Sequence, residues 1–327
     1  MGDGAGVARD GRGARCVLGI DLGGTSMKGA FVGEDGEPVT DQAKQLTNAA
    51  AGEVAERLLA FVDRFLAPGV VDGREVVAIG LCVPGIVDER AGVGVLAVNL
   101  GWRDVPLMAG IEAATGLPTV VGHDVRSAAV GEQLYGAARG YSDFLFVSIG
   151  TGVGAAVVVN GEPYAGASFA GGEFGHMSVD ARGPLCACGR RGCIEALASA
   201  RAIERRYSER AKDATTVVAT DVPVRIDAGD EVARQVWDDA IAALAAGILN
   251  YMTLLDPEAI VIGGGLAPAG DRLLVPLREA IDTGLSSFQS PRPVVLGALP
   301  DTAGWRGAAA RAWQLVEARR GSGGGLP

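Results

Sequence analysis

One histidine and three cysteines lie close together in this sequence: His176, Cys186, Cys188 and Cys193. An imidazole and three thiolates complete a tetrahedral zinc set with no open coordination position, so the metal would hold structure and take no part in a reaction. Two of the cysteines flank a single residue, and the third follows a glycine-rich turn. One of only two histidines in the chain sits nearby, a spacing that suits a metal better than disulfides. Zinc there would order the stretch 170–195, which carries little apolar mass of its own. Glu173 and Glu195 flank the ligands. Their carboxylates can accept hydrogen bonds from a polyol, and the His176 nitrogen turned away from the metal can donate one. From local sequence alone, glutamates in such places read more readily as solvated surface residues. Cys16 and Cys82 fall in apolar stretches and read as inert core residues.

Two glycine turns carry a different chemistry. In Asp21-Leu22-Gly23-Gly24-Thr25 the glycines let main-chain amides face an anion while Thr25 adds a hydroxyl, so a phosphate fits. Asp21, at a strand end, suits Mg²⁺ directly or through water. A lone Gly-Gly-Thr signals no more than a turn, but Gly150-Thr151-Gly152 repeats the pattern between strand-like flanks and shifts the reading to phosphate. The P-loop spacing is absent from both turns, and no Gly-x-Gly-x-x-Gly opens a helix after the first strand, so P-loop and Rossmann readings fail. Gly263-Gly264-Gly265 follows a β-branched stretch and leaves room for a flat ring such as adenine. Asp124 stands between a short strand and a helix, where it can serve as general base for an alcohol or as a helix cap. His123 reads as a cleft ligand or as a satisfied core histidine.

These residues need a scaffold, and 327 residues provide for about two domains. Hydrophobic residues at 48% and charged ones at 21% are ordinary for a globular protein, whereas 50 glycines, about 15% against roughly 7% on average, are not. The balance of 29 basic and 39 acidic residues gives a net charge of -10, which disfavours nucleic acid and anionic lipid as partners. Apolar stretches such as 76–87 are broken by glycine and proline and fall short of the roughly 20 residues that span a bilayer. Residues 1–15 have no apolar core of a secretory signal, so a cytoplasmic protein with no membrane helix is expected.

Strand-like stretches at 16–21 and 26–32 precede a helix over 52–66, a strand at 76–83, a helix over 107–115, a strand at 119–121 and a helix over 125–134. Strands at 143–149 and 153–159 restart the pattern. A helical stretch at 228–254, a strand at 259–262 and helices near 272–281 and 303–318 follow, which makes an α/β protein. Segment 211–227 is the least readable, and 1–15 and 319–327 read as disordered tails. The echo between 19–25 and 148–154 points to an internal duplication and to two lobes with a cleft between them.

Asp21-Leu22-Gly23-Gly24-Thr25, Pro84-Gly85, Asn99-Leu100-x-Trp102 and Asp124 match a known family in order. So do Ile149-Gly150-Thr151-Gly152 through Gly172-Glu173-Phe174-Gly175-His176, the cysteine motif, Glu195 and Gly263-Gly264-Gly265. Together they span nearly the whole folded part, which resembles the ROK family (repressors, ORFs and sugar kinases). The resemblance implies an actin-like ATPase (ribonuclease H-like) fold. One lobe would comprise 16–122 with 303–318, the last helix packing back on it, and the other 123–302 with the zinc loop. It further implies ATP-dependent phosphorylation of a hexose at the C6 hydroxyl, with Mg²⁺ and a structural Zn²⁺, in a homodimer or homotetramer.

Glucose is the lead substrate, and N-acetylglucosamine, N-acetylmannosamine or an aminoglucose the alternative. On this pattern Asp124 resembles the base, and Asn99, His123, Glu173, His176 and Glu195 the sugar ligands. Asp21, Gly23, Gly24, Thr25, Lys28, Thr151 and Gly152 resemble the Mg²⁺ and phosphate cradle, and Gly263, Gly264 and Gly265 the adenosine contact. Some members are sugar-responsive regulators that bind DNA through an N-terminal helix-turn-helix. Fifteen residues before the first strand are too few for one. The chain departs from the family pattern around Asp124: His123 stands where Asn usually precedes the aspartate, and Arg126 where Asn or a small residue usually follows.

Overall fold

The structure is a computed structural model that describes residues 14–47, 53–68, 70–71, 73–211 and 217–322. The expected tails lie outside the described residues except at 14–15 and 319–322. The chain divides into two compact units, residues 1–122 with 308–327 and residues 123–307.

In the first unit β1 (Arg15–Leu22) and β2 (Ser26–Gly33) form an antiparallel hairpin, with β3 (Ala43–Leu46) outside β2. Helix α1 (Val54–Leu66) leads into β4 (Glu75–Val83), which runs parallel beside β1. A separate antiparallel sheet, absent from the sequence expectation, contains β5 (Ile86–Asp88), β6 (Val93–Ala97) and β7 (Trp102–Val105). These strands are too short for an alternating pattern to stand out. Helix α2 (Leu107–Thr115) precedes β8 (Thr119–His123), which completes a five-stranded sheet of order β3-β2-β1-β4-β8.

Strand β1 is buried on both faces through Cys16, Val17, Leu18 and Ile20, as its nearly continuous apolar run demands of a central strand. Helix α1 lays Val54, Leu58, Phe61, Val62 and Phe65 along one stripe. The Phe65 ring stands edge-on to Phe31 and Phe61, with centroids 5.5 and 5.1 Å away, the arrangement the ring quadrupole favours.

The second unit opens with α3 (Asp124–Tyr135), followed by the antiparallel hairpin of β9 (Phe144–Ile149) and β10 (Val153–Val159) and the short β11 (Glu162–Pro163). After the cysteine loop come α4 (Ile194–Ala198), α5 (Ala200–Ala211), α6 (Val222–Asp227) and α7 (Glu231–Leu255). Then follow β12 (Ala259–Gly263), α8 (Asp271–Gly284) and β13 (Val294–Leu296), and last α9 (Ala303–Ser322), which from Ala308 on belongs to the first unit. Residues 319–322, expected as tail, are therefore helical. The sheet order is β11-β10-β9-β12-β13, with β12 parallel to β9 and to β13.

An edge strand, an antiparallel hairpin and then a parallel neighbour thus occur in the same chain order in both five-stranded sheets, with the two glycine turns at corresponding hairpins. Helix α7 is long and apolar enough to cross a membrane by length and composition, but half of that stretch is buried in the core of its unit. The expected single helix at 228–254 starts only at 231, because Gly229 takes a left-handed φ of 85° and Asp230 then caps α7. The later part of α9 packs on β4: a Cβ on Gly80 would lie 1.9 Å from the carbonyl oxygen of Ala308, so only glycine fits.

Candidate functional site

In the first unit the turn between β1 and β2 is closed by Gly23 N–H donating to the carbonyl of Ser26 at 2.9 Å. Thr47 ties it from the side. Its amide donates to the Thr25 carbonyl at 2.9 Å and its hydroxyl to the Gly23 carbonyl at 2.7 Å. Gly24 and Thr25 remain exposed, and Asp21 and Lys28, half-buried, are direct partners across the hairpin. Asn99 lies in a single 3₁₀ turn, Val98–Leu100, between β6 and β7. A Cβ on Gly24 would come within 2.8 Å of its Nδ2. The candidate sugar ligand Asn99 and the candidate phosphate turn are therefore neighbours, although 75 residues of chain separate them.

In the second unit Asp124 is the first residue of α3, and the cap position belongs to His123, whose side chain makes no cap bond. The Asp124 carboxylate, 30% exposed, accepts from Val125 N–H at 2.7 Å, and its Oδ1 lies 3.2 Å from His123 Nδ1. A negative charge at a helix N-terminus is favoured by the helix dipole. Asp124 is therefore not the helix cap that the sequence allowed, because the helix starts at it and not after it; its carboxylate accepts the next amide and stays accessible. Arg126, two residues on, is 1% exposed. It points inward, and its Nη1 donates to the carbonyls of Phe169 at 3.5 Å and Gly171 at 3.3 Å, just before Glu173.

The β9–β10 turn is closed by Gly150 N–H donating to the Gly152 carbonyl at 2.9 Å, with Thr151 exposed. Glu195, in the first turn of α4, reaches it. Its Oε2 accepts from Val153 N–H at 3.0 Å, and a Cβ on Gly152 would approach that oxygen to 2.6 Å. The triple glycine after β12 closes against the same turn. Gly263 faces the Phe146 ring, and Gly264, at φ 85°, leaves no space for a Cβ beside the Ile149 main chain. Packing within the unit already requires glycine at 263 and 264, so only the exposed Gly265 retains a reason for glycine that a ligand could supply.

His176 and the three cysteines converge, with ligand atoms all within 4.8 Å of one another. Cys186 Sγ lies 3.6 Å from His176 Nδ1, and Cys188 Sγ lies 3.6 Å from Cys193 Sγ. A tetrahedron with Zn–S bonds of 2.3 Å has edges of about 3.8 Å, so this donor set fits zinc. The Arg190 main chain, bonded to Cys188, holds that thiol down at about 6, while burial pushes the Cys193 thiol up to about 12. His176 Nε2 is turned the other way, 3.9 Å from Glu173 Oε2. An imidazole with one nitrogen on a metal and the other facing a carboxylate is a familiar outer-shell arrangement. Cys193 is also the cap residue of α4, which places Glu195 two residues from a ligand position.

Two α/β units, each built on a β-hairpin continued by a parallel strand and each offering an exposed glycine turn, have the actin-like ATPase fold, as the structural neighbours do. The sequence model of the ROK family matches residues 17–314, and the chain belongs to that family. A glucokinase of Thermotoga maritima is 33% identical over 308 residues, which cover 90% of this chain and 96% of its own. A ROK family glucokinase from Streptomyces griseus, solved in complex with glucose and AMPPNP, superposes with a TM-score of 0.79 at 30% identity. That match covers 91% of this chain and 99% of the other. A ROK family transcriptional regulator, a homologue of the E. coli Mlc protein, gives a TM-score of 0.84 at 26% identity, over 92% of this chain and 78% of its own.

Proposed function

We propose that this chain is an ATP-dependent hexose kinase that phosphorylates the C6 hydroxyl of an aldohexose, with glucose as lead substrate. The observation that carries the reading is the accessible Asp124 carboxylate at the start of α3, held by Val125 N–H. In this reading Asp124 orients the sugar hydroxyl and takes its proton as the oxygen–phosphorus bond forms and the bond to ADP breaks. The protein otherwise positions groups and stabilises charge. Asn99, His123, Glu173, His176 through Nε2, and Glu195 bind ring hydroxyls. Gly23, Gly24, Thr25, Lys28, Thr151 and Gly152 take the phosphates, and Gly263, Gly264 and Gly265 border the adenosine. Asp21 would hold Mg²⁺, which supplies charge neutralisation at the phosphates. His176, Cys186, Cys188 and Cys193 would hold a structural Zn²⁺. ATP as donor places the reaction in the cytoplasm.

Support comes from the glucokinase relatives and from a neighbour that binds glucose and AMPPNP. The test is sugar-dependent ADP release over glucose, mannose, N-acetylglucosamine, N-acetylmannosamine and aminoglucoses, by the wild type and by Asp124→Ala. Turnover with at least one of them, lowered on the order of 10²-fold or more in the variant, is expected. A variant rate within a few-fold of wild type overturns the base assignment. No turnover with any sugar overturns the kinase reading.

A further inference from the structure

Between β11 and Glu173 the chain makes a tight loop, 164–172, with an uncommon backbone. Phe169 has a φ of 62°, a left-handed conformation that a bulky residue adopts at a cost of about 1 kcal/mol or more, between Gly166 at 82° and Gly172 at 91°. Its residues are half-buried or exposed, so apolar packing does little to hold this shape. The ends are tied to β10: Tyr164 N–H donates to the Val157 carbonyl at 2.8 Å, and Ala155 N–H to the Gly172 carbonyl at 3.1 Å. The middle of the loop meets the buried Arg126 guanidinium, which binds the carbonyls of Phe169 and Gly171. Both bonds leave Nη1 and are long, at 3.5 and 3.3 Å, but their donor carries a charge in a buried place, so one group holds both carbonyls. The strained residue therefore has its carbonyl fixed from α3, two residues from Asp124.

We propose that Arg126 is a positioning residue that clamps loop 164–172 from behind, and so sets Glu173 relative to Asp124 for the sugar. The clamp stands on the geometry of the loop, and its consequence for the sugar rests on the reading of Asp124 and Glu173 given above. It gives a physical account of one departure from the family pattern: Arg126 does not face solvent and acts on a sugar only through the loop it braces. A displacement of about 1 Å in a positioning group can cost on the order of 10²-fold. Removing the clamp should therefore raise the sugar KM about 10-fold or more, with the ATP KM unchanged.

Two measurements on the full chain test this. The first is hydrogen exchange without substrate, comparing wild type, Arg126→Lys and Arg126→Met. Amides of 164–172 should exchange about 10-fold faster in Arg126→Met and at an intermediate rate in Arg126→Lys, with β9 and β12 unchanged. Unchanged exchange across 164–172 overturns the clamp. Should Arg126→Met not fold, Arg126→Lys is judged by the same criterion. The second is a double-mutant cycle on the sugar KM with Glu173→Gln, which isolates coupling between the two positions. If Arg126 acts through Glu173, Arg126→Met adds less than two-fold to the defect of Glu173→Gln, whereas full additivity overturns the coupling. If Glu173→Gln alone leaves the sugar KM unchanged, the sugar-site reading has failed, and the exchange experiment still decides the clamp.

Discussion

On the proposed reading, the two carboxylates on α3 divide structure from chemistry. Glu132, 2% exposed, accepts from the main-chain N–H groups of Ala137 at 2.8 Å, Ala298 at 2.9 Å and Leu299 at 2.8 Å, and so joins the end of α3 to the segment before α9. Asp124, 30% exposed, accepts from one first-turn amide. A buried acceptor with three donors loses on the order of 1–3 kcal/mol when one partner becomes mismatched. Glu132→Gln is therefore expected to lower the unfolding free energy in urea by about 2 kcal/mol, because its amide NH₂ must face an N–H. Asp124→Asn should change stability by less than about 1 kcal/mol while turnover falls on the order of 10²-fold or more. Equal stability loss in both would remove the distinction. The sequence marked Asp124 because it stands at a strand–helix junction. Nothing marked Glu132, whose decisive partners lie 166 and 167 residues away. Arg126 was visible only as a departure from a pattern, since its carbonyl partners lie 43 and 45 residues on.

Among the elements, those with strong local periodicity were legible: α2 and β10 have the expected bounds, and α1 and β4 differ by a residue or two. The misread ones are short or join at a cap. Helices α4 and α5 escaped because the first is five residues long and the second is rich in charge, with an apolar face completed only by distant packing on α4, α7 and residues 219–221. At α7 the signal was present as Gly229-Asp230, a stop followed by a start. Asp230 Oδ1 accepts from Ala233 N–H at 3.0 Å, and Oδ2 accepts from the Tyr207 hydroxyl at 2.6 Å. The bond from Tyr207, then the Ala233 amide, hold the Asp230 carboxyl below its ordinary value. A carboxyl depressed in the folded state contributes stability above its unfolded pKa, and that contribution disappears as pH falls through the folded value. Asp230→Ala should thus destabilise by about 1–2 kcal/mol at neutral pH. The gap to wild type should begin to narrow near the ordinary aspartate pKa of about 4 and go on narrowing as pH falls further. Urea midpoints at pH 7 and pH 3 measure this, and a gap as wide at pH 3 as at pH 7 counts against it.

Across the whole molecule the glycine excess has several physical origins. Some glycines form the exposed turns, some sit where backbone presses on backbone, as Gly80 does against Ala308, and others end or redirect elements. The hairpin echo was readable because both turns are local, and it corresponds to the central hairpins of two sheets with the same strand order. What neither composition nor periodicity reveals is how the cysteine loop stays folded. The segment is anchored at both ends on the large core of the second unit, by Phe174, Met177 and Val179 before the cysteines and by Ile194 and Ala198 after them, whereas the stretch between has only the small cluster of Cys186, Cys193 and Ala196. On the proposed zinc reading, this stretch between the anchors is the part that the metal would hold, and the helix after it is not. Zinc analysis of the purified protein should therefore give close to one equivalent. Chelation should open the loop without melting the sheet, lowering the melting temperature by about 5–10 °C. Arg182, Arg190 and Arg191 are exposed on the loop and give trypsin three places to cut once it opens. Zinc-loaded protein should resist cleavage there, and chelated protein should be nicked within 182–191 while circular dichroism keeps most of its signal. Cleavage that is unchanged by chelation, or a sample that unfolds entirely on losing the metal, would contradict a zinc site that is structural and local.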